Sequence, residues 1–389
     1  MAAALGASHA GWDARLFERA EAFSEVGAGV QLGPNVVRRL QAWGLQKPLQ
    51  EVAAVPQQLV ARSALSGAVL ASAPLGATMV ERYGAAYVTI HRADLHSVLY
   101  SAAQERADIY INAGQAVTDI LGVDRVTTIR TSANKTIEGD ALMLADGVWS
   151  QLRASVLGDH SRPRVSGHLA YRALLPMADV PPAWRSQVVT VWLGPRMHAV
   201  HYPVRRGEML NMVVIIEGPA PGDLEHWDHR GNAALLEQAL QHCSRHFQDL
   251  VRSVAASGGS WRLWPLSDRA PIQGPEAMAR GLVGLIGDAA HPMRPYLAQG
   301  AGMAIEDAAE LQRALAMDDL EVELRLRRYA INRWARNARV QARSIRNGEI
   351  FHATGPIRWG RDLAMRALGR KLMDVPWLYR GDGSSASIL

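Results

Sequence analysis

Hydrophobic and polar positions change their rhythm several times along the chain. Ala2–His9 is alanine-rich and stops at Gly11, which predicts a short helix. Residues 12–17 then form a largely apolar run closing on Glu18, the pattern of a strand. Helix followed by strand is the second half of a β-α-β unit. Further on, a strand-like run ends at Tyr87, Val88 and Ile90 and passes through His91-Arg92 into a helix with Leu95, Val98, Leu99 and Ala102 on one face. Short strands are expected at 109–111, 116–120 and 126–129, and a buried strand at 141–145 halts at the turn Asp146-Gly147.

Between 165 and 266 the texture is that of strands. Runs at 188–193, 197–203 and 209–216 are separated by the turn residues Gly194-Pro195 and Arg205-Arg206-Gly207, which predicts an antiparallel sheet forming its own domain. A buried strand returns at 281–286 and ends in Gly287-Asp288, followed by helices at 299–315, 321–348 and 359–373. The serine-rich stretch 381–389 is expected to be disordered. The coarse plan is an α/β domain, interrupted by a sheet domain and closed by C-terminal helices.

Composition narrows the class. A chain of 389 residues suggests two or three folding units, and 48% hydrophobic with 20% charged residues is ordinary for a soluble globular protein. The longest aliphatic run, 212–216, is far short of the roughly 20 apolar residues of a membrane span. Residues 1–11 carry no secretory signal pattern. One cysteine, Cys243, excludes an internal disulfide and a cysteine-rich zinc site, and a reducing cytoplasm is the expected compartment. The net charge of +5 suits an anionic small molecule as well as nucleic acid, so it decides nothing by itself.

Two places carry candidate chemistry. Glu18 closes a strand, where an acid can accept the hydroxyls of an adenosine ribose, although acids at strand ends also serve as caps or solvated ends. The G-x-G-x-x-G turn of a dinucleotide fold would lie about 20 residues earlier, and Gly6 and Gly11 have the wrong spacing for it. The second place is Gly287-Asp288-Ala289-Ala290-His291-Pro292, then Pro295, then 299–308. There a buried strand delivers an acid to a turn, and a helix rich in small residues begins within a dozen positions, offering free N–H groups to an anion. A plain strand-turn-helix with glycine packing accounts for neither the length nor the order of that pattern.

The order of motifs resembles the single-component FAD-dependent aromatic hydroxylases, with the p-hydroxybenzoate hydroxylase fold. The resemblance runs over Phe17-Glu18-Arg19, 27–35, His91-Arg92, Ala145-Asp146-Gly147, Gly287-Asp288 and Glu306-Asp307-Ala308. In 83–87 and 292–300 the chain is most similar to hydroxylases of 6-hydroxynicotinate, 3-hydroxybenzoate and salicylate. What the resemblance implies is an α/β fold: a Rossmann-like FAD-binding domain without its first strand (1–164 and 267–320), an inserted, mainly antiparallel substrate-binding sheet (165–266) and C-terminal helices (321–380). It implies cofactor-binding roles for Glu18, Arg19, Arg92, Val117, Asp146, Gly147, Asp288, Gly300 and Ala301. Glu18 would take the adenosine ribose, Arg92 the pyrophosphate region and Asp288 the ribityl chain. Gly300 and Ala301 would present N–H groups to the flavin pyrimidine edge.

The implied reaction uses FAD with NADH or NADPH and O2 to hydroxylate a phenol-like aromatic or heteroaromatic acid through a flavin C4a-hydroperoxide. His201, Tyr202, Gln31 and Pro295 are the catalytic candidates; glutamine stands where the 6-hydroxynicotinate enzyme has a histidine base, and an amide takes no proton. A monomer or homodimer without nucleic-acid partners is expected. The missing upstream strand leaves two rivals, a fold remnant that binds little FAD, and a flavin oxidase or dehydrogenase. Other residues carry bland readings. His198 and His201, three apart on a strand, point to opposite faces. His242 and His246 read as solvated histidines on one helix face, and Arg336, Arg339, Arg343 and Arg346 as the solvated side of a helix packed through Trp334, Ala335, Ala338 and Ile345.

Overall fold

The computed structural model describes residues 1–22, 28–224 and 229–381. Gly27 of the quoted motif and residues 382–389 of the serine-rich tail lie outside the described residues. Two compact units emerge, one from Met1–Val26, Leu95–Arg164 and Ser267–Ser344, the other from Gly27–Asp94, Val165–Leu266 and Ile345–Leu389.

In the first unit the alanine-rich start is the helix Ala2–His9, and its packing partner is the helix Gly300–Leu315. Gly6 makes that crossing tight: a Cβ there would stand 2.5 Å from the carbonyl oxygen of Ala308. The strand Ala14–Phe17 pairs in parallel with Ile109–Asn112, and Leu142–Leu144 pairs in parallel with Val283–Leu285. These two ladders belong to separate sheets among the described residues. The strands expected at 116–120 and 126–129 appear as Val117–Gly122 and Thr127–Thr131, and Thr136–Gly139, which the sequence did not foretell, completes a β-meander with them. Leu144, Val283 and Leu285 of the buried strands pack with Leu311, Ala314, Leu326 and Tyr329 of the following helices into one apolar core.

The second unit is built on an eight-stranded sheet. The expected strands appear as Val188–Gly194, Met197–Val204 and Met209–Glu217, paired antiparallel in chain order. Their continuous apolar runs follow from burial on both faces. The sequence reading did not anticipate the 13-residue strand Arg164–Pro176 beside Met209–Glu217, nor the hairpin Gln58–Ser63 and Val69–Pro74, which joins the sheet through a parallel pairing with Val188–Gly194. One face packs Tyr171, Trp192, Ala199, Met212 and Val214 against Phe247, Leu250 and Val254 of the helix Arg245–Ala256.

Two helix readings need correction. Ser244 precedes the helix that contains His246, so His242 lies in the preceding turn and shares no helical face with it. The helix Val322–Phe351 buries Arg333, Asn337, Val340, Gln341 and Ser344, while Ala335 is exposed. Arg336 leaves the solvated face to bind Glu306 through Nε at 2.6 Å and Nη2 at 2.8 Å. A stripe of polar groups therefore occupies positions that periodicity assigns to a core; Arg333 and Asn337 pair with Glu306 and Asp307 of another helix, and Gln341 and Ser344 with backbone carbonyls.

Candidate active site

In the first unit, three of the sequence-picked positions lie at the C-terminal ends of parallel strands, where α/β folds bind ligands. Glu18 follows Ala14–Phe17; its main chain continues the ladder to Asn112, and its Oε1 accepts the N–H of Ala20 at 2.9 Å. Exposed Asp146 and half-buried Gly147 follow Leu142–Leu144, with Gly147 at φ 83°. Exposed Asp288 follows Val283–Leu285 and sits behind Gly287, whose φ of 59° favours glycine at the turn. Arg19 is exposed and Val117 is half-buried at the start of its strand.

The segment 287–299 is braced from behind by residues the sequence reading gave no role. Arg153 donates to the carbonyls of Ala289 and Ala290 at 2.8 and 3.1 Å. Asp307 accepts from the Gly287 N–H at 3.2 Å, from Arg333 Nε at 2.8 Å and from Asn337 Nδ2 at 3.0 Å, and lies 2.6 Å from His291 Nε2. Gln341 Nε2 donates to the Pro292 carbonyl at 3.1 Å and Ser344 Oγ donates to that of Arg294, whose guanidinium binds Asp268 at 2.7 Å. Burial alone would raise the Asp307 carboxyl; the charges and hydrogen bonds of His291, Arg333 and Asn337 outweigh it and hold the group far below the usual carboxylate range. The signal for these braces was present in the polar i, i+4, i+8, i+11 stripe of the long helix, which a search for apolar periodicity passes over.

The braced segment ends in exposed Pro295, then Ala298 at φ 52°, then the helix beginning at Gly300. A Cβ at Gly300 would meet nothing within 4 Å, and Ala301 is exposed. The first N–H groups of that helix have no intrahelical acceptor, and Gly300 puts no side chain beside them.

In the second unit, Met197–Val204 presents its neighbours to opposite faces. His201 falls on the side of Trp192, with ring centroids 6.4 Å from Trp192 and 6.0 Å from Trp184. Burial, then Arg62, pushes its pKa down to about 3, so the ring is neutral at physiological pH and a weak proton acceptor. Tyr202 falls on the other side. Its O–H donates to the Gly29 carbonyl at 2.7 Å, and its side chain also hydrogen-bonds Gln31. Tyr87 donates to Gln31 Oε1 at 2.7 Å, and Asn211 Oδ1 accepts the Gly29 N–H at 2.6 Å. Gly29 is obligatory there, because a Cβ would stand 2.6 Å from the Tyr202 ring.

The structure thus brings Gln31 and Tyr202 together, adds Tyr87 and Asn211, and leaves His201 apart. On the same face Arg172 stacks its guanidinium over the Trp264 indole, 3.2 Å from the ring centroid. Burial, with the Arg92 charge adding to it, lowers Arg172 to about 9. Its buried Nε and the Nδ2 of Asn211 make no hydrogen bond among the described residues. Exposed Arg92 begins the helix Arg92–Gln104, its own N–H bonded to the Ala28 carbonyl at 3.1 Å.

Residues 1–344 match the family described as FAD binding domain. The chain belongs to that family. It is 33% identical over 384 residues to 3-hydroxybenzoate 6-hydroxylase of Polaromonas naphthalenivorans, covering 97% of this chain and 92% of that one. It is 32% identical over 337 residues to 6-hydroxynicotinate 3-monooxygenase of Pseudomonas fluorescens, covering 85% and 84%. The fold matches the crystal structure of Klebsiella pneumoniae HpxO complexed with FAD and uric acid at a TM-score of 0.82 and 21% identity, over 96% of this chain and 91% of that one. This family member is an FAD-dependent aromatic-ring monooxygenase that draws its reducing equivalents from NAD(P)H. The uncovered helix start at Gly300 and the acids at three strand ends fit the cofactor. Among the described residues no helix is long and apolar enough to cross a membrane.

Proposed function

We propose that the chain hydroxylates a phenolic aromatic or heteroaromatic acid, and that the face carrying Tyr202, Gln31, Tyr87, Asn211 and Arg172 receives it. The hydrogen-bonded array of Tyr202, Gln31 and Tyr87, with the half-buried Arg172 cation on the same face, carries this reading. Glu18, Arg19, Arg92, Val117, Asp146, Gly147 and Asp288 hold the FAD, with the Gly300 and Ala301 N–H groups on its pyrimidine edge. Bound FAD, reduced by NAD(P)H, supplies the oxygen-activating chemistry.

The residues of this face do the rest. Tyr202 already donates its proton to Gly29, which leaves its oxygen to accept a hydrogen bond from the substrate's hydroxyl. Burial pushes the Tyr202 pKa well up, while Arg172 and the Gln31 hydrogen bond pull it down. Tyr202 accordingly stays protonated near pH 7 and orients the substrate rather than taking its proton. The same Arg172 charge favours the phenolate of a bound substrate, which activates the ring, and the proton leaves to solvent. His201, on the opposite face from Tyr202, takes no direct part, and Pro295 stands in the exposed turn before the Gly300 helix. The enzyme works in the cytoplasm on O2 and a soluble aromatic acid, as a monomer or homodimer.

The test is NAD(P)H oxidation by the FAD-loaded protein in the presence of hydroxybenzoates and hydroxynicotinates, with the products identified by mass spectrometry. Ring hydroxylation of at least one of them is expected. Stimulated NAD(P)H consumption with hydrogen peroxide as the sole product for every acid tried would replace the reading with that of an oxidase.

A further inference from the structure

A cluster of three histidines and a glutamate lies in the second unit, and none of its members belongs to the array around Tyr202. His168 and Glu217 are register partners on adjacent antiparallel strands, and His352 follows directly after the helix Val322–Phe351. His168 and His352 stack at 4.5 Å between centroids and 16° between planes. His352 Nδ1 lies 3.3 Å from Glu217 Oε1, and its Nε2 lies 2.8 Å from His198 Nδ1. One ligand atom each from His168, Glu217 and His352 falls within 4.8 Å of the others. His352 and His198 are buried, whereas the Glu217 side chain is 40% exposed, so the cluster opens on solvent.

We infer that His168, Glu217 and His352 form a site for a divalent transition-metal ion of the zinc type, with His198 as its outer hydrogen-bonding partner. Two imidazoles and one carboxylate are a donor set that zinc accepts, with a water completing the tetrahedron at an exposed corner. Ligand atoms about 2.0–2.2 Å from one ion lie closer together than 4.8 Å, so binding draws the three side chains slightly inward. With the lone pair of His352 Nδ1 given to the metal, its Nε2–H would donate to Nδ1 of His198, 2.8 Å away, the arrangement that fixes a ligating imidazole. His198 is buried and close enough to hold that ring in place. Arg196 is the nearest competitor for the carboxylate; its Nε lies 4.0 Å from Glu217, and with 77% of its side chain exposed it can swing into solvent.

The test uses the FAD-loaded full chain, freed of metal by chelation, and Zn2+ alone as the probe at neutral pH. One equivalent of zinc per chain is expected by calorimetry and elemental analysis, with a rise in Tm, and Co2+ in its place should show tetrahedral visible bands. Glu217→Gln and His168→Gln, both at accessible positions, should abolish stoichiometric uptake while leaving the flavin spectrum and metal-free Tm near wild type. His198→Asn should weaken zinc binding by roughly 10- to 100-fold without changing the stoichiometry. Should His352→Ala fail to fold, the two accessible variants decide alone. Uptake below one equivalent, or uptake that Glu217→Gln and His168→Gln leave untouched, would mean adventitious surface binding and overturn the site.

Discussion

At the scale of single residues, Tyr202 and Gly29 are the most exacting positions. Tyr202→Phe should lower hydroxylation by roughly a hundredfold and divert reducing equivalents to hydrogen peroxide, because a phenol displaced from its reacting orientation is a poor acceptor. Flavin content should stay normal, and loss of the Gly29 hydrogen bond should cost about 1 kcal/mol of stability. His201→Asn, on the opposite face, should leave the coupling ratio unchanged; equal uncoupling in both variants would show that the face was misassigned. Gly29→Ala should destabilise by about 1–3 kcal/mol in a denaturant titration, since the new methyl enters space held by Tyr202 and Asn211. The sequence showed Tyr202 and Gln31 but not that they touch: 171 positions separate them, and only the sheet brings them together.

At the scale of elements, the polar stripe of Val322–Phe351 and the turn it supports act as one device. Removing the Asp307 charge leaves Arg333 buried beside Glu306 alone, and Asp307→Ala should cost about 3–5 kcal/mol. The pH dependence has a definite sign. The folded-state pKa of Asp307 is depressed, so its contribution is fully present above the unfolded value of about 3.9 and is lost only as pH falls below it. Acid titration of wild type should show no loss from this group at pH 5, and the wild-type advantage over Asp307→Ala should shrink below about pH 4. At the front of the turn stands exposed Asp288. Asp288→Ala should keep its fold and weaken FAD by roughly 1.5–3 kcal/mol, about ten- to a hundredfold, in a flavin-release titration. Strand-turn-helix order was legible here because Gly287, Asp288 and the small residues after Gln299 are local signals. Asp307 stood in the 306–308 motif without its bond to the Gly287 N–H, and Arg153, Gln341 and Ser344 were not legible, because each acts on a backbone far away in sequence.

At the scale of the molecule, a cofactor held by the folded chain adds to its stability by mass action. FAD at a hundred times its dissociation constant should contribute about 2.7 kcal/mol, so stripping the flavin should lower Tm measurably and restoring it should reverse the change. An unchanged Tm would count against the proposed FAD contacts at Gly300 and Ala301. Local rhythm foretold many of the strands and the helices Gly300–Leu315 and Val322–Phe351, including the antiparallel run from 188 to 217, because those elements carry their own turn residues. The strand Arg164–Pro176 and the 58–74 hairpin escaped because Gly167, Ser66 and Gly67 interrupt their apolar pattern, and their place depends on neighbours across the sheet. The segment 287–299 has one further consequence. Its carbonyls and its turn N–H are tied to Arg153, Asp307, Gln341 and Ser344, so its conformational entropy is already surrendered when the chain folds. A ligand arriving there has no loop to freeze, and the Gly287 and His291 amides should exchange with deuterium as slowly as those of the core strands, although they lie in no regular ladder.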